Sequence, residues 1–173
     1  GLDPATIATV WGVRGIGPVG RLKWRLWIPI YDVTGRVISW TTRSIGKDNP
    51  VRYWAATADE EIIPHKSVLY GAHLAMHCIV IFEGPVDAWS IGPGGVATCG
   101  VGYTAAQRAA ASRYPVRVVC FDAEPDAQQR AEALCTDLSV MPGETVLWRL
   151  ESGKDANTAS REEISEIRHK YLV

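Results

Sequence analysis

Several features are missing from this sequence, and each absence excludes something. No apolar run approaches the length of a membrane span and no signal peptide is expected, so no membrane-spanning segment is expected. Cysteine is scarce: Cys78, Cys99, Cys120 and Cys135 form no CxxC pair, which argues against a disulfide framework and for a reducing, cytoplasmic setting. Cys78 and Cys120 lie in apolar runs and read as buried small hydrophobes. The glycine-rich stretch GPGGVATCG (92–100) lacks the lysine of a phosphate-cradling P-loop. No internal repeat or low-complexity tract interrupts the chain. The net charge is only −1, so overall composition does not make a basic nucleic-acid binder.

What is present is a globular chain of 173 residues, 47% hydrophobic, enough for one ordinary domain or two small ones. It begins with Gly, the expectation for an excised fragment or a cleaved tag. Its charge is unevenly spread. Residues 1–72 carry nine Lys/Arg against six Asp/Glu, and residues 73–173 carry nine against thirteen. A basic half joined to an acidic half suits a polyanion on one side and cations on the other. A small α+β basic subdomain is expected over 1–70 and an α/β domain over 71–173. In the first, Asp3-Pro4 starts a short helix to about Val10. LKWRLWIPIYD and RVISWTTRSI then read as a hairpin around Thr34-Gly35. The alternation of Val37, Ser39 and Thr41 with Ile38, Trp40 and Thr42 predicts a half-exposed strand, and 46–67 a long polar connection. In the second, strands at 79–82, 96–98, 116–121 and 145–149 alternate with helices at 86–91, 104–113, 125–137 and 160–170. That order predicts a mostly parallel sheet flanked by helices.

Three of these strands end in acid. IVIF runs into Glu83, with Asp87 four residues on. VRVVCF runs into Asp122-Ala123-Glu124. TVLWR leads to Glu151 and on to Lys154-Asp155-Ala156-Asn157. In a parallel sheet all three clusters fall at one edge, where ligands collect. Converging carboxylates repel unless a cation neutralises them, and Mg²⁺ is the usual partner. The alternative for each single residue is capping or first-turn charge on the next helix. His73 and His77 share helical spacing, but no third ligand accompanies them, and structural or exposed roles are expected.

The set IVIFEGPVDAW, VVCFDAE and SGKDAN resembles the three motifs of a Toprim domain. RLWIPIYDVTGRVISWTTR, VRYWAAT, HKSVLYG and GGVATCGVGYTAAQRAA extend the resemblance over roughly residues 21–158 to the RNA-polymerising core of DnaG-type primases of bacteria and phages. The resemblance implies a metal site of Glu83, Asp87, Asp122, Glu124 and Asp155, with Glu83, Asp122 and Glu124 catalytic. It also implies Arg25, Arg43, Arg52, Lys66 and Lys154 as nucleotide and template ligands. Arg36 and Lys47 read as solvated surface. Tyr53 and Trp54 are candidates to stack a base, with packing the alternative for Trp54. Implied cofactors are two or more Mg²⁺ or Mn²⁺ ions. Implied partners are single-stranded DNA, NTPs, an RNA primer and a replicative helicase, fused or separate, with no membrane.

Three departures from the family pattern stand out. Glu124 replaces the usual Asp. PDAQQRA follows where Ala-Gly and small residues are usual, placing Asp126 as a further ligand or a cap. No Cys/His cluster is present, so no zinc is expected in this segment. The module that helps primases choose a start site either lies elsewhere or is missing. A Toprim-type nuclease, or a nucleic-acid-binding replication module with a weakened metal site, are the alternatives.

Overall fold

The computed structural model describes residues 2–46, 49–100 and 102–172; Lys47 lies outside them. The chain divides into two compact units, Gly1–His65 and Lys66–Val173.

The first unit opens with helix α1 (Pro4–Val10), whose N–H groups at Ala5 and Thr6 donate to the Asp3 carboxylate. An antiparallel sheet follows in the order β1 (Arg14–Gly15), β2 (Arg25–Tyr31), β3 (Val37–Ser44), β4 (Tyr53–Ala55). The β2–β3 turn is held by Asp32, whose Oδ1 accepts from the N–H groups of Thr34 and Arg36, with Gly35 at φ +80°. The half-exposed pattern expected for β3 is corrected. Ser39, Thr41 and Thr42 are buried along with Ile38. The reason is the segment after β4, which folds back on β3. Ala56 N–H donates to Trp40 O, Ile62 N–H to Ile38 O, and the Ser39 hydroxyl to Glu61. The polar connection is therefore in part a cover for this strand.

The second unit is a parallel four-stranded sheet in the order β6 (Gly95–Ala97), β5 (Cys78–Phe82), β7 (Val116–Val119), β8 (Glu144–Leu147). All five residues of β5 are buried, as a continuous apolar run in a sheet covered on both faces requires. Ile79 and Ile81 join a core with Ala111 of α3 (Ala105–Ala111) and Ala127, Ala131, Leu134 and Leu138 of α4 (Pro125–Ser139). Val80 and Phe82, on the opposite face by strand alternation, are equally buried. Helices α2 (Pro85–Ile91) and α5 (Arg161–Tyr171) complete the unit. Gly95 is where β6 passes closest to α2: a Cβ there would stand 2.3 Å from Ile91 Cγ2 and 2.6 Å from Ala88 O. Among the described residues, His73 sits in a 3₁₀ turn (Ala72–Leu74) that ends before His77, so the two share no helical face.

Arg117, in the middle of β7, is fully buried. Its guanidinium donates to the carbonyls of Ser112 (3.4 Å), Pro142 (2.9 Å) and Met141 (3.5 Å) and to Thr145 Oγ1 (3.1 Å). Ser112 caps the C-terminus of α3, and Met141 and Pro142 follow the end of α4. One buried cation thus meets the electronegative ends of two helices. Cys78 and Cys120 are free and buried, as their apolar runs predicted.

Candidate active site

The parallel register fixes where the acidic residues emerge. Ile81 pairs with Val119 and Val119 with Leu147, so Glu83 and Asp122 leave adjacent strands at the same edge. Glu83 lies just past β5, and its Oε1 accepts from Arg130 of α4 through Nε (3.2 Å) and Nη2 (2.9 Å). Asp87 is in the first turn of α2, buried, and accepts from the backbone N–H of Asn157 at 3.3 Å. That bond brings the Lys154–Asn157 segment to the first motif. A second tie joins it to the next, since Ala123 N–H donates to Lys154 O at 2.7 Å. The turn at Asp122 is pinned by Gln128, whose amide donates to the carbonyls of Phe121 and Asp122. Asp155 accepts from Thr158 N–H at 2.8 Å. Glu124 occupies the N-cap position of α4, yet its side chain makes no capping bond and is exposed. Capping therefore does not account for it. Asp126 is exposed in the first turn of α4, where a negative charge suits the helix N-terminus.

The Asp122 carboxyl feels the other four. Burial pushes the Asp122 carboxyl up to about 7, and repulsion from Asp87, Glu83, Asp155 and Glu124 adds to it. Among the described residues, no three or more His, Cys, Asp or Glu side chains are gathered closely enough to cage a metal ion. The donor set is all hard oxygen with surplus negative charge, spread along an edge. That suits a cation which keeps much of its water, as Mg²⁺ does, rather than an all-protein cage.

The basic residues divide. Arg43 is half-buried and donates to the Tyr53 hydroxyl at 2.8 Å, while Arg52 and Lys154 are exposed. Arg25 and Lys66 both bind backbone carbonyls. Arg25 is 3% exposed and donates to the carbonyls of Val51 and Arg52. Lys66 spends its ammonium on the carbonyls of Thr98, Cys99 and Gly102, and burial lowers its pKa. Both cations organise backbone.

Sequence reasoning missed two features. One is Arg130, whose partner lies 47 residues away. The other is a cleft of about 580 Å³ in the first unit, lined among others by Arg21, Lys23, Trp24, Arg25 and Trp54. Trp24 is 58% exposed and held at φ +58°. Arg21 and Arg25 lie over the Trp54 ring at 5.9 and 5.7 Å. The signal available was the KWR spacing at 23–25, which reads equally well as strand entry.

No family model and no curated protein matches the sequence. Solved structures do. The E. coli primase catalytic core is 26% identical with a TM-score of 0.72, over 88% of this chain and 54% of that one. The Aquifex aeolicus primase, comprising zinc-binding and RNA polymerase domains, is 18% identical with a TM-score of 0.81, over 99% and 53%. The primase fragment of the bacteriophage T7 primase-helicase is 18% identical with a TM-score of 0.66, over 100% and 71%. The chain thus spans about half the length of the first two. The class is an α/β unit carrying acidic residues at the carboxyl edge of a parallel sheet, preceded in the chain by a small unit built on an antiparallel sheet. Within that class, the fold is that of the DnaG-type primase catalytic core.

Proposed function

We propose that this chain is the catalytic core of a DNA primase, a nucleotidyltransferase that joins ribonucleotides into short RNA primers on single-stranded DNA during replication. The observation that supports the reading is that Asp122, at the strand-end edge of a primase-core fold, is acted on by Glu83, Asp87, Glu124 and Asp155. In the reaction the 3′-hydroxyl oxygen of one nucleotide bonds to the α-phosphorus of the next. The bond to pyrophosphate breaks and the hydroxyl proton leaves. The five carboxylates would hold Mg²⁺ or Mn²⁺, which supplies charge neutralisation at the reacting phosphates. Tethering of the Lys154–Asn157 segment to Ala123 and Asp87 keeps the acidic edge assembled. Exposed Lys154 is available to a triphosphate, and exposed Arg52 to the template. The Trp24–Trp54 cleft suits an unpaired base stacked beside cations. A DnaG primase catalytic domain 21% identical to this chain, with a TM-score of 0.73, was solved bound to single-stranded DNA. Partners in this reading are single-stranded DNA, NTPs, the primer and a replicative helicase, in the cytoplasm of a bacterium or phage-infected host.

The test is primer synthesis on single-stranded template with NTPs and Mg²⁺ or Mn²⁺. RNA products lost in Asp122→Asn support the proposal. Template degradation without NTPs would identify a nuclease instead, and DNA binding with neither activity would leave a non-catalytic module.

A further inference from the structure

Resting on that reading of the acidic edge, we infer that Arg130 is the site's built-in counter-cation, competing with a divalent ion for Glu83 and thereby setting how tightly the site binds metal. The arm is fixed at its base. Arg130 projects from the second turn of α4, between Ala127 and Ala131, both buried in the core against the sheet. Its guanidinium therefore starts from a position set by packing. It reaches Glu83 with two N–H groups on one oxygen, at 3.2 and 2.9 Å. The Glu83 side chain is only 14% exposed and that of Arg130 30% exposed, so the pair is partly withdrawn from water, where charge-assisted hydrogen bonds are strongest. Glu83 is also the strand-end carboxylate of the first motif, so an ion entering the edge must share it or displace the guanidinium.

Two consequences of opposite sign follow. With Arg130 present, the metal-free edge loses part of its self-repulsion. With a divalent ion bound, the guanidinium is a like charge within a few ångströms and opposes it. A merely structural salt bridge would have the first effect and lack the second, since its loss would weaken an ordered site or leave it unchanged.

The experiment uses the whole chain and Mn²⁺ alone, with free Mn²⁺ counted by electron paramagnetic resonance and folding checked by circular dichroism. R130Q is expected to bind Mn²⁺ about fivefold more tightly, the size of one charge acting on a divalent ion through largely aqueous surroundings. It is also expected to melt at a lower temperature in EDTA. R130K keeps the charge and is expected to bind within about twofold of the unsubstituted chain. Equal or weaker binding by R130Q would overturn the inference, as would R130K binding as tightly as R130Q. The unsubstituted chain provides a test that needs no variant to fold. On Mg²⁺ titration the Arg130 Nε–H resonance should shift and saturate with the binding curve, and an unmoved resonance would refute displacement. Mn²⁺ binding that Asp122→Asn leaves intact, or none at all, would instead sink the metal-site reading and this inference with it.

Discussion

Replacing Asp122 by asparagine measures the cost of half-burying a carboxylate beside other carboxylates on one sheet edge. The folded carboxyl titrates at about 7, against 3.8 for an unperturbed aspartate. Below pH 4 both folded and unfolded chains hold the proton, and ionisation at this position costs nothing. As pH rises from 4 to 7 the unfolded chain releases the proton while the folded chain keeps it, so stability falls, and above 7 the loss levels off. A displacement of that size corresponds to about 4 kcal/mol for a fully buried group. Asp122 is half-buried and water screens its neighbours, so about 1–2 kcal/mol is expected. Urea unfolding in EDTA, followed by tryptophan fluorescence, should find Asp122→Asn more stable than the unsubstituted chain by that amount above pH 7. The gap should close toward pH 4. Added Mg²⁺ should reverse the order, because the unsubstituted edge then gains a neutralising cation that the variant binds poorly. A gap independent of pH, or a variant less stable throughout, would refute the claim that burial and its acidic neighbours raise the Asp122 carboxyl.

Arg117→Met removes the donor shared by the ends of α3 and α4, leaving buried carbonyls unsatisfied; a loss of about 3 kcal/mol is expected in the same urea assay. Lys66→Met should accelerate amide exchange at residues 98, 99 and 102, whose carbonyls hold the ammonium. Lys154→Ala should leave that exchange unchanged and lower the salt dependence of nucleotide binding by about one phosphate contact. Trp24→Ala should weaken single-stranded DNA binding about tenfold in fluorescence anisotropy, the loss of one stacked base; unchanged affinity would remove the cleft from the template path.

The acidic edge was legible because its placement depends on backbone periodicity alone. An apolar run such as CIVIF reads as a buried parallel strand, and in a parallel sheet the residues just after each strand must lie at one edge. The cations were not legible in the same way, because their acceptors are main-chain carbonyls, which leave no trace in side-chain identity. Arg25 and Lys66 look like phosphate ligands by type, and each donates to backbone carbonyls that the sequence does not reveal. The same blindness hid the cover on β3, whose bonds come from the N–H groups of Ala56 and Ile62 within a stretch of polar composition. It bears directly on function. The positive charge of the first half overstates its free cations: Arg14 donates to Ala8 and Val13 carbonyls, Arg21 pairs with Glu60, and Arg43 sits on Tyr53. Arg36 lies beside Asp32, leaving Lys23 and Arg52 exposed without a side-chain partner among the described residues. In the proposed reading, a template held by so few charges in this unit draws much of its affinity from stacking. That gives an exposed tryptophan in a left-handed backbone conformation, beside a second ringed by arginines, a physical reason to be there.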